Sequence, residues 1–232
     1  NKITSNKREL VKIKMNKLFK DIRHSDFNAV RATISKNIKA VNEVYTGKAP
    51  KKDIGQSPLQ VAIKCGEFEI IEFLLENGAD PDFMENPEVV PPHSVCMPVL
   101  HDAIIGAFSA LCYKQYMQSE KYVNLIKILL EYGANPNRKT SSEILPIGMA
   151  VNQADFILSR KSAYPDIQEI TQKRLLEILD LLIEYGADKK EWLDQDFWGV
   201  SNKVHYFEEK QYGTNNIDIR EPIRIVLEGY FH

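Results

Sequence analysis

Large aliphatic residues fall at the same four distances before a glycine three times along this chain. Counting back eight, seven, four and three positions from Gly78 gives Ile70, Ile71, Leu74 and Leu75. From Gly133 the same count gives Leu125, Ile126, Leu129 and Leu130, and from Gly186 it gives Ile178, Leu179, Leu182 and Ile183. That spacing draws one apolar stripe along a helix. Intervening positions such as Glu69, Glu72, Lys127 and Glu177 are charged and belong to a solvated face. Each glycine opens a triplet, Gly78-Ala79-Asp80, Gly133-Ala134-Asn135 and Gly186-Ala187-Asp188, and supplies the left-handed residue that stops its helix. A unit that repeats whole, stop signal included, predicts a stacked array rather than a single-core domain.

A shorter apolar segment precedes each stripe. In Ser57-Pro58-Leu59-Gln60-Val61-Ala62, Pro58 takes the first helical turn, where a missing N–H costs nothing, and Gly66 ends that helix. Val99-Leu100-His101-Asp102-Ala103 and Leu145-Pro146-Ile147-Gly148-Met149-Ala150 open the next two units. These segments resemble the ankyrin repeat, whose opening is T-P-L-H-x-A and whose length is about 33 residues. A degenerate first unit is carried by Leu18-Phe19, Ser25-Asp26, Ala29, Val30, Thr33 and Ile34. The resemblance implies an all-α ankyrin-repeat solenoid with irregular hairpin fingers and elongated insert helices. It forms a single domain over 1–232, with repeats at about 15–42, 54–82, 97–137 and 144–190. Residues 1–14 read as an N-terminal extension or cap and 191–232 as a C-terminal cap. The layout is similar to small bacterial ankyrin proteins. The marks are Leu18 to Asp26, Gly55 to Ile63, and Pro98-Val99-Leu100-His101-Asp102-Ala103-Ile104 after a long finger.

Spacing between stops departs from the plain repeat. Gly78 to Gly133 is 55 residues and Gly133 to Gly186 is 53, a surplus of about 20 each over an ordinary unit. The third unit places its surplus in the finger Asp82 to Met97 and around Phe108 to Lys121; the fourth places it at Asp155 to Gln172. Phe108, Leu111, Tyr113, Tyr116, Met117 and Tyr122, then Phe156, Ile157, Leu158, Tyr164 and Ile167, predict lengthened inner helices rather than linkers. The first finger, Glu43 to Gln56, is also long. Past Gly186, Trp192, Phe197 and Trp198 are expected to cover the last apolar face. A final helix from Pro222 is expected to place Ile223, Val226, Leu227 and Tyr230 on one side.

Composition narrows the partner. The 30 basic and 32 acidic residues leave a formal net charge of −2, no field to draw nucleic acid or an anionic membrane. No apolar run is long enough to span a bilayer, and no secretory signal is expected. Seven basic residues between Lys2 and Lys20 fit an exposed, amphipathic first helix. Cys65, Cys96 and Cys112 cannot all pair, which favours a reducing, cytoplasmic setting. His93, Cys96, His101 and Cys112 are the nearest approach to a zinc set. No short ligand motif joins them, and the resemblance assigns His101 to the backbone of neighbouring turns. Gly47-Lys48 lacks the spacing of a phosphate loop, and Glu208-Glu209 adjoin no histidine. No cofactor, metal or catalytic residue is expected.

The reading that remains is a non-enzymatic, monomeric module that binds another protein through its finger loops and concave helix face. A bacterial toxin or effector, held or neutralised, is one such partner. Candidate contacts are Tyr45, Lys51 and Lys52 in the first finger, and Phe83, Met84, Glu85 and Glu88 in the second. Tyr113, Tyr116 and Tyr164 in the inserts and Arg138 beyond the stop at Gly133 complete the set. The alternative is a small-molecule- or metal-binding enzyme whose site is built on the inserts at 83–121 and 155–172, with a pocket lined by His93, Cys96, Tyr113 or Tyr164.

Overall fold

A computed structural model describes residues 17–47, 50–189 and 227. A helix over 17–23 (α1) is followed by α2 (Phe27–Lys36), α3 (Pro58–Cys65), α4 (Phe68–Glu76), α5 (Val99–Cys112), α6 (Tyr116–Glu131), α7 (Pro146–Leu158) and α8 (Gln168–Glu184). The stripes that define the repeat are the buried faces. Ile70, Ile71, Leu74 and Leu75 of α4 and Leu125, Ile126, Leu129 and Leu130 of α6 lie in the core, as do Ile178, Leu179 and Leu182 of α8. Ile183 closes its stripe half-buried.

The stop signals act as the glycines predict. Gly78, Gly133 and Gly186 have φ of +86°, +100° and +93°, a conformation that costs other residues about 1 kcal/mol. Ala79 N–H reaches back to Leu74 O at 2.9 Å, and Ala187 N–H to Leu182 O at 2.8 Å. An asparagine clasp follows. Asn42 donates to Gly78 O at 2.7 Å and accepts from Asp80 N–H at 2.8 Å. Asn137 does the same to Gly186 O and Asp188 N–H, at 2.9 and 2.7 Å.

By contact the chain forms two compact units. One runs to Asp102 and takes in Glu131–Ala134 and Thr140–Ser142; the other holds Ala103–Leu130, Asn135–Lys139 and the chain from Glu143 on. In the first, α3 packs on α4 and α2 on α4, with the Phe27 and Phe73 rings edge to face at 5.5 Å. In the second, α7 packs on α8.

The surplus residues lengthen more than the inner helices. α3 and α4 have 8 and 9 residues, against 14 and 16 for α5 and α6, and 13 and 17 for α7 and α8. The expectation of lengthened inner helices covers half of the change, because the outer helices grow by a similar number of turns. Among the described residues no helix is long and apolar enough to cross a membrane. The readings that fall on Lys2 to Met15, on Trp192, Phe197 and Trp198, and on the helix from Pro222 lie outside the described residues. Leu227 is the exception: it is helical and fully buried.

Candidate partner-binding surfaces

The first finger is folded back onto its own base. Tyr45 N–H donates to Gln56 O and Gly55 N–H to Tyr45 O, both at 2.9 Å. This closure turns the Tyr45 ring inward, edge-on to Phe19 at 5.0 Å, where it is 2% exposed. Tyr45 is therefore a core residue, and its assignment to a binding surface is corrected. Lys51 and Lys52 remain exposed on the short turn Lys51–Asp53. The turn itself is anchored from below: Asp53, fully buried, accepts from Arg23 Nε at 2.6 Å.

In the second finger Phe83 and Met84 are half-buried. Met84 pairs with Pro98 in an isolated antiparallel bridge, and Val99 N–H donates to Phe83 O at 3.0 Å. Glu88 is exposed in the turn, its N–H held by Asn86 Oδ1 at 2.9 Å. Glu85 is not a surface group. It is 5% exposed, accepts from Met97 N–H at 2.8 Å and from Gln60 Nε2 at 2.7 Å, and its role as a partner contact is likewise corrected. Val89 and Val95, which sequence reasoning passed over, are exposed on this finger.

Among its described residues the second unit also exposes large apolar and aromatic side chains. Tyr113 and Met117 are each 77% exposed, and Tyr116 and Phe156 each 44%. Two of them, Tyr113 and Phe156, line an open cavity of about 850 Å³ together with Phe108, Met149, Arg160 and Tyr164. The Arg160 guanidinium lies 4.0 Å from the Phe156 ring centre and donates to Phe156 O at 2.8 Å. Among the sequence candidates the cavity thus brings Tyr113 and Tyr164 together, both in the connections that follow the lengthened α5 and α7. Arg138 is half-buried in the turn after Gly133.

The cavity is lined by Tyr113 and Tyr164 but by no histidine, and Cys96 and His93 lie elsewhere. Burial pushes the Cys112 thiol up, a shift opposed by its hydrogen bond with Tyr164. Burial also raises Cys65 and Cys96. Among the described residues no three His, Cys, Asp or Glu side chains are grouped to hold a metal ion.

The ankyrin repeat family model matches residues 54–86, from the first finger's base through α3 and α4 to Asn86. Ankyrin repeat and MYND domain-containing protein 1 of Mus musculus is 30% identical, over 59% of this chain and 15% of its own length. A Rickettsia felis protein named for its ankyrin repeat is 28% identical, over 57% of this chain and 43% of its own. The aligned stretches thus span less than half of either relative. Repeated stop signals, paired helices and these matches agree on an all-α ankyrin-repeat fold, with an ankyrin repeat at 54–86. Ankyrin repeats generally mediate protein–protein interaction, and the family is typically a non-enzymatic interaction module.

Proposed function

We propose that the chain is a non-enzymatic module that binds another protein through two surfaces. One is the second finger with the lysines of the first: Lys51, Lys52, Phe83, Met84 and Glu88. The other is the insert surface of Tyr113, Tyr116 and Tyr164, with Arg138 beyond the stop at Gly133. The observation that carries this reading is the group of four large, exposed side chains, Tyr113, Tyr116, Met117 and Phe156, in the unit that also holds the cavity. Aromatic and flexible apolar side chains of this kind dominate binding energy once an interface covers them. An evenly charged chain supports a protein partner over nucleic acid or an anionic membrane. Three unpaired cysteines support a cytoplasmic setting.

Within this reading the bound protein is held or neutralised, with a bacterial toxin or effector as the class of partner. Such a task needs a stable surface and no turnover, and a bacterial relative supports the setting. Affinity purification of the tagged protein from its source cells, read by mass spectrometry, tests it. Tyr113→Ser with Met117→Ser should lose a partner that the parent protein captures. Capture that is unchanged by this pair and by Phe83→Ser with Met84→Ser would remove both surfaces from consideration.

A further inference from the structure

Both fingers of the first unit are tied down by buried carboxylates, but with different charge balance. Under the first finger, Asp53 meets the Arg23 guanidinium, one anion to one permanent cation. Under the second, Glu85 and Asp102 share a single ammonium, that of Lys64, at 3.4 and 3.5 Å. Both carboxylates are nearly inaccessible, 5% and 7% exposed. Gln60 Nε2 lies between them, 2.7 Å from Glu85 Oε1 and 2.8 Å from Asp102 Oδ2, and 3.2 Å from Met97 O. Its two N–H bonds therefore face three acceptor oxygens. Gln60 Oε1, buried on the same amide, has no donor. The cluster is short of protons.

What it holds is the finger. Glu85 Oε2 takes the Met97 N–H and Gln60 the Met97 carbonyl, so both arms of the finger are fastened to α3 through Gln60 and Lys64. Asp102 fastens the same knot to the first turn of α5. The charged groups facing Asp102 are Lys64 from α3 and Glu85 from the finger. Two ionised carboxyls and one ammonium leave the buried knot with a net negative charge. One added proton balances it and supplies a donor.

We propose that this cluster is a proton-operated clamp on the finger 82–97, closed when Asp102 holds a proton and slackened when Asp102 is ionised beside Glu85. Desolvation, partly offset by Lys64, pushes Asp102 up to about 6. Because this group is raised when the clamp is closed, the clamp's hold is fullest at low pH and is lost as pH rises through about 6. The first finger, neutralised by a guanidinium, has no such response. The clamp concerns the finger itself and needs no bound partner.

Hydrogen–deuterium exchange of the intact protein, corrected for the intrinsic pH dependence of exchange, tests it at about pH 5 and about pH 7.5. Peptides from 82–97 should lose about tenfold in protection at the higher pH, the ratio set by a group near 6 closed and near 4 open. Peptides from the first finger should not change. Asp102→Asn fixes the neutral form and should keep the second finger protected at both pH values. Glu85→Gln, which removes the same charge from the other side, serves if Asp102→Asn fails to fold. Equal protection of the parent finger at both pH values would overturn the clamp. So would a pH response that survives both substitutions, or one equally large in the first finger.

Discussion

At Gly106, inside α5, a Cβ would sit 2.4 to 2.7 Å from three atoms of the Tyr122 ring on α6. Replacing a helical glycine by alanine ordinarily gains about 0.5–1 kcal/mol from lost unfolded-state freedom. Here the methyl meets a nearly buried aromatic ring, and overpacking of that kind costs about 1–3 kcal/mol. The clash wins. Gly106→Ala should destabilise the protein in urea unfolding, and a gain in stability would show that the ring moves aside freely. Asp102 gives a residue-scale effect with the opposite sign. Its carboxyl is raised from the ordinary value of 3.8 to about 6, so folding takes up a proton and that contribution is full below 3.8. It is lost as pH rises through about 6, beyond which the fold carries an ionised carboxylate in the core. Asp102→Asn should therefore melt a few degrees above the parent near neutral pH. The gap should close as pH falls toward about 4.

Helices are the scale at which the sequence was most legible, and for a physical reason. A stripe and its stop are set by neighbours within eight residues, and a left-handed position selects glycine strongly. Both survive even where the opening motif decays, as it does when Gln60 stands in the histidine position. Gln60 then does what the resemblance assigns to that histidine, bonding the backbone of the next finger at Met97 O. Harder to read were contacts between segments far apart. Gln60 meets Glu85 and Asp102 across 25 and 42 positions, and no periodicity marks such a knot. The same holds for Tyr45, which looked like a finger aromatic because nothing local says that the finger closes on itself. In the stripes the expectations are sharp. Leu129 is fully buried in α6, and Leu129→Asp places an unpaired charge in the core. That change should cost about 3–5 kcal/mol, enough to unfold a domain of ordinary stability. Circular dichroism should show the helical signal lost, whereas a soluble, helical Leu129→Asp protein would contradict the role of the stripe.

Among the described residues the charged positions along α4 and α6 differ in kind from the fingers and from the insert surface, which includes the first turn of α6. Glu69, Glu72 and Glu76 of α4 and Lys127 of α6 are exposed, each next in sequence to a buried stripe position. Long charged side chains held in water contribute little when an interface covers them, since desolvation offsets what pairing gains. The second finger instead carries exposed Val89 and Val95 with half-buried Phe83 and Met84, and the insert surface carries Tyr113 and Met117. Apolar area of that sort returns free energy when removed from water, at about 25 cal/mol per Å². Once a partner has been captured, the two kinds of surface can be compared by calorimetry. Phe83→Ser with Met84→Ser should weaken binding by about 2 kcal/mol or more if the finger seats an anchor, and Tyr113→Ser with Met117→Ser should do so if the insert surface does. Neither pair interrupts a stripe or a stop, so both proteins should keep the parent's helical spectrum. The control is Glu72→Lys with Lys127→Glu, which reverses two outer charges and should leave affinity nearly unchanged. A partner lost by that control but kept by both apolar pairs would be bound to the charged outer helices, and the two surfaces proposed here would not be where this protein makes its contact.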